Sequence, residues 1–154
     1  MHGAGITAAA LTLIAAGCGG SGSLARYMAT SSSSVVLVQW QAASSGRLHG
    51  TFTAYVAYAA NPPDLRVSSS STPFTGTISG GTVTLDFPTR LRFFSSPVGP
   101  PSLARIHGTL SGGVLTLRIP HAIRGYRLTR AGIAAYNKAI SALRSRVSRA
   151  NRLN

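Results

Sequence analysis

The hydrophobic and polar positions alternate with period two along most of the chain. Leu48, Gly50, Phe52, Ala54, Val56 and Tyr58 share one face, and His49, Thr51, Thr53 and Tyr55 the other. The alternation returns at Phe74, Gly76 and Ile78, at Val83, Leu85 and Phe87, at Ile106, Gly108 and Leu110, and at Leu115, Leu117 and Ile119. This apolar-in, polar-out pattern, rich in Thr and aromatics, predicts antiparallel strands that cover a core on one side. Gly80-Gly81 and Gly112-Gly113 each separate two alternating runs by two residues, which predicts tight hairpins with positive φ. Ser44 to Gly46 reads as a slightly longer turn, while Pro62-Pro63, Ser68 to Ser71 and Ser95 to Ser102 read as longer loops.

A repeat orders these runs. Phe74 to Pro88 aligns without gaps on Ile106 to Pro120, matching Gly76 with Gly108, Thr77 with Thr109, both glycine pairs, Leu85 with Leu117 and Pro88 with Pro120. His49-Gly50-Thr51-Phe52 is a partial third copy. Each unit is a hairpin, so the expected fold is mainly β, a meander of about eight strands forming a barrel or half-barrel over 35–129. Glycines on the inward face weaken a strand unless it must bend or receive a close neighbour. They imply strongly coiled strands, with room inside for Trp40 or for a ligand.

From Thr129 the period changes. Ile133, Tyr136, Ile140, Leu143 and Val147 follow at spacings of three and four, which predicts an amphipathic helix over 130–152 with Thr129 as its N-cap. Arg130, Lys138, Arg144, Arg149 and Arg152 project from the opposite face. The apolar stripe either docks on the β-domain or lies on a membrane surface, and both hold if the arginines face anionic lipid.

Charge sharpens this picture. Fifteen basic residues stand against two acids, Asp64 and Asp86, for a net +13. Fourteen of the fifteen are Arg, a bias that GC-rich coding also produces, and nine lie at or after Arg118. Such a chain is drawn to polyanions. The aromatics fall on inward faces rather than among exposed arginines, so the stacking platform of a nucleic-acid binder is not expected.

The chain is poor in catalytic groups. Asp64 is placed in a loop and Asp86 on an outward strand face. His49, His107 and His121 have no nucleophile-elbow pattern beside them, and both glycine pairs sit in hairpins rather than before a helix. His49 and His107 occupy equivalent outward repeat positions, where a shared metal is conceivable but two solvated imidazoles are the simpler reading. No enzyme, cofactor or resident metal is expected.

The first residues carry an address. Ile6 to Ala16 is an apolar run of signal-peptide length, too short to span a bilayer. Ile14, Ala15, Ala16 and Gly17 lead into Cys18, and Gly19 to Ser23 follow as a Gly/Ser stretch. This segment resembles the lipobox and tether of bacterial lipoproteins. The resemblance implies cleavage of residues 1–17, a diacylglycerol on Cys18, a tether over 18–34 and a place on the outer face of the cell membrane. The β-region is similar, in pattern alone, to lipocalin-like or related β-meander domains of actinomycete lipoproteins. The function expected is that of a non-enzymatic binding or structural module of the cell envelope. One alternative is a small apolar ligand held in the interior by Trp40, Phe52, Phe74 and Phe87. Another is a charge-mediated adaptor to anionic lipid or wall polymer through Arg130, Lys138, Arg144, Arg149 and Arg152. An unrecognised hydrolase is the residual one. A core filled by the four aromatics would argue against the first alternative.

Overall fold

A computed structural model describes residues 24–91, 103–118 and 126–153. Among them, eight strands follow one another as an antiparallel meander: β1 (Ala25–Thr30), β2 (Ser34–Ala42), β3 (Arg47–Asn61), β4 (Asp64–Ser79), β5 (Thr82–Leu91), β6 (Leu103–Ser111), β7 (Val114–Arg118) and β8 (Tyr126–Arg130). They form a closed barrel, completed where Tyr27 and Met28 of β1 pair with Arg130 and Thr129 of β8. One helix, α1 (Ile133–Leu153), follows. The expected meander with a C-terminal helix is thus a closed eight-stranded barrel. The leader, Cys18, the serine-proline segment 95–102, Ile119 and His121 lie outside the described residues.

The hairpins form where the glycine pairs predict them. Gly80 and Gly81 have φ of 54° and 81°, and Gly112 and Gly113 of 54° and 76°, conformations that side-chain-bearing residues rarely adopt. The inward glycines serve close approach rather than spare volume. A Cβ on Gly76 would stand 2.1 Å from the carbonyl oxygen of Thr84, and one on Gly108 would stand 2.5 Å from that of Thr116. The two repeat copies therefore coil tightly at the same point. The interior is filled by Tyr27, Val36, Val38, Trp40, Leu48, Phe52, Phe74, Val83, Leu85, Phe87 and the aliphatics of β6 to β8.

Three expectations are corrected. The tether does not run to Ser34, because Ala25–Thr30 is β1, with Tyr27 buried and stacked on Trp40 at 4.9 Å between centroids. The serines after it form the β1–β2 turn, in which Ser31 Oγ accepts from the Ser34 amide at 2.9 Å. The run Ser68 to Ser71 is strand, not loop, paired with Val56 to Thr53 of β3. Small hydroxyl side chains suit an exposed strand face as well as they suit a linker, so composition alone misplaces both serine runs. Thr129 is a residue of β8 opposite Met28 and Val114, not a cap. The first helical bond runs from the Tyr136 amide to the Gly132 carbonyl at 3.2 Å, so α1 begins three residues later than expected.

The helix lies on the outer wall of the barrel. Tyr136, Ile140 and Leu143 pack with Val35 and Leu37 of β2, and with the half-buried Tyr55, Ala57 and Val67 of β3 and β4. Because Val36 and Val38 point inward while Val35 and Leu37 meet α1, β2 is buried on both faces. The β3–β4 hairpin outruns its neighbours: β2 pairs with β3 as far as Val56, and the described β4–β5 pairing ends at Thr75. Asn151 of α1 grips that ribbon. Its side-chain amide donates to the Leu65 carbonyl and accepts from the Leu65 amide, both at 2.9 Å, as an adjacent strand would.

Candidate functional site

The basic residues of α1 divide by their angle around the helix. At about 100° per residue, Tyr136, Ile140, Leu143 and Val147 form a stripe, and Lys138, Arg149 and Arg152 cluster on the opposite side. All three cations are exposed. The first and last stand 14 residues apart in sequence, or about 21 Å along the helix axis at 1.5 Å per residue. Arg144 and Arg146 stand on the flanks and help dock the helix. Arg144 lies 5.8 Å from the centroid of the Tyr55 ring, and Arg146 donates to the Ser31 carbonyl at 3.2 Å. Arg130, grouped with them in the sequence, is in β8 instead, exposed and opposite Tyr27.

Tyr136 joins the two layers of this docked surface. It is buried edge-on against Tyr55, with ring centroids 6.3 Å apart. Loss of solvent, and secondarily the nearby Tyr55 phenol, push its pKa up to about 12.

The four interior aromatics are brought together as packing. Trp40, Phe52, Phe74 and Phe87 are each at most 5% exposed. Phe87 meets Phe52 at 6.3 Å and Phe74 at 5.6 Å between centroids, so the rings fill this part of the interior. A ligand seated among them would have to displace a packed core.

Phe74 and Phe87 also back a cleft in the barrel wall. The described β4–β5 ladder runs from Ser79 and Thr82 to Thr75 and Asp86, then stops. The next residues toward the opening are Phe74 and Phe87, followed by Pro73 and Pro88. Proline has no N–H to donate, so both strands carry a ladder breaker at one level, and the wall forks there. The cleft between them has a volume of about 420 Å³, with His49, Thr75 and Asp86 at its rim. Sequence reasoning missed this site, although Pro73 and Pro88 inside alternating runs were its signal.

The groups weighed for catalysis are dispersed. Asp64 opens β4 at the ribbon tip, and Asp86 sits opposite Thr75, eleven residues along that strand. That separation is about 36 Å at the rise of an extended chain. Asp86 accepts a short hydrogen bond from Arg105 Nε on the exposed sheet face. His49 on β3 and His107 on β6 are three strand spacings apart, about 14 Å, too far to share a metal. His107 Nδ1 instead meets Thr84 Oγ1 at 3.2 Å. Among the described residues no group of three or more His, Cys, Asp or Glu could hold a metal ion, and no helix is long and apolar enough to cross a membrane.

By fold, the chain is an eight-stranded up-and-down antiparallel barrel with a helix docked on its outer wall. No protein-family model, no curated protein and no solved structure matches it.

Proposed function

We propose that this protein is a non-enzymatic binding module of the bacterial cell envelope, lipid-anchored at Cys18 and laid by charge on anionic lipid or wall polymer. The observation that carries the reading is the orientation of α1. Its apolar stripe is buried on the barrel, and Lys138, Arg149 and Arg152 face water. A helix docked in this way has no free apolar face to insert among acyl chains, so it adsorbs through charge alone. The excess of +13, opposed by only two carboxylates, supplies a long-range field of the same sign.

The test is vesicle sedimentation of the full chain carrying Cys18→Ser, which removes the lipid contribution. Binding to phosphatidylglycerol vesicles at low salt is expected, with none to phosphatidylcholine, and it should disappear as salt shortens the Debye length. Each surface cation contributes about 1 kcal/mol near an anionic membrane, so Lys138→Ala/Arg149→Ala/Arg152→Ala should bind about a hundredfold more weakly. Equal binding to neutral vesicles, or an unaffected triple variant, overturns the reading.

A further inference from the structure

The cleft at the β4–β5 fork combines an apolar floor, a polar rim and a sequence-encoded opening. Gly50 sets the floor. A Cβ there would stand 2.6 Å from Phe74 Cζ and 2.8 Å from Trp40 Cβ, so only glycine lets the Phe74 ring lie across that position. Pro73 and Pro88 flank the opening and cannot zip it shut by backbone pairing. The volume of about 420 Å³ falls within the range of small-ligand sites. A cavity of about 150 Å³ is enough for benzene, so this one has room for two fused rings or a short acyl chain.

The rim decides which head group fits. Asp86 is held by Arg105, so its charge is compensated and does not repel an acid at the cleft mouth. His49 is exposed at the same rim, and among the described residues its imidazole takes no hydrogen-bond partner. An imidazole can donate to an anionic head group, and the positive field of the chain favours that charge further. The geometry points to a binding site at this fork for a small aromatic or short-chain carboxylic acid, its apolar part against Phe74 and Phe87 and its carboxylate at His49. The site is separate from the basic face of α1 and does not depend on membrane adsorption.

The probe is 2-naphthoate, titrated into the full chain carrying Cys18→Ser and followed by ¹H–¹⁵N NMR. Its neutral isostere, 2-naphthamide, is run in parallel. Saturable shifts are expected at the amides of Gly50, Phe74, Thr75 and Phe87, with a Kd below about 1 mM for a ligand of this size. His49→Ala should weaken naphthoate by roughly five- to tenfold and naphthamide clearly less, because a bond to an ionised acceptor is about twice as strong as one to a neutral carbonyl. On the Lys138→Ala/Arg149→Ala/Arg152→Ala background, which removes the adsorbing face, the cleft shifts should persist. Shifts confined to α1, or no saturable shift at the cleft amides, overturn the proposal. So does a His49→Ala protein that binds both probes as before.

Discussion

Tyr136 shows how one residue ties the helix to the barrel. Its ring is buried against Tyr55, and its hydroxyl has a pKa raised to about 12 by lost solvation. The unfolded value is about 10, so the folded state holds the proton longer as pH rises. That contribution is fully present below pH 10 and is lost as pH climbs toward 12. The urea midpoint should therefore fall between pH 10 and 12, and Tyr136→Phe should flatten this part of the profile. A midpoint that falls equally in both proteins would place the alkaline sensitivity elsewhere. None of this could be read from the position of Tyr136 in the sequence. Its place on the apolar stripe was legible there, but a tyrosine partner on β3 was not, because Tyr55 sits in the outward register that alternation assigns to water.

At the scale of elements, the decisive contact is α1 against β2. Four consecutive apolar residues, Val35 to Val38, break the alternation seen elsewhere. That run means burial on both faces, and α1 is what covers the outer one. Leu143 is fully buried in this seam, whereas Ile133, at the start of the same stripe, is 49% exposed. Leu143→Ala should cost about 2–5 kcal/mol in urea unfolding, and Ile133→Ala less than about 0.5 kcal/mol. Similar costs for the two would mean that α1 does not dock by this stripe. The stripe itself follows from spacing alone. Ile133 itself does not dock, because it opens α1 where the chain leaves β8, and burial of the stripe starts only at Tyr136.

The whole molecule folds against its own charge. With +13 and one described ion pair, Arg105–Asp86, on the exposed surface, self-repulsion opposes compaction. Screening should relieve it, so the Tm should rise by a few degrees between low and physiological salt. A Tm indifferent to salt would mean that the arginines are too dispersed to interact. The same salt series weakens vesicle adsorption under the proposed function. Stability and binding should therefore move in opposite directions along it, which separates loss of an electrostatic contact from loss of fold.

By itself the sequence determined the local rules: period-two strands, two glycine hairpins, a repeat that coils at Gly76 and Gly108, and one amphipathic helix. Each of these is written within a few neighbouring residues, where side-chain direction follows from backbone period. Tertiary structure alone decided closure, because β1 and β8 meet through only two described residue pairs drawn from opposite ends of the chain. It also decided that Trp40, Phe52, Phe74 and Phe87 fill the interior and that Asn151 completes the hydrogen bonding of Leu65. These outcomes depend on register between distant strands, and no local pattern encodes which residues a closed ring of strands will bring face to face.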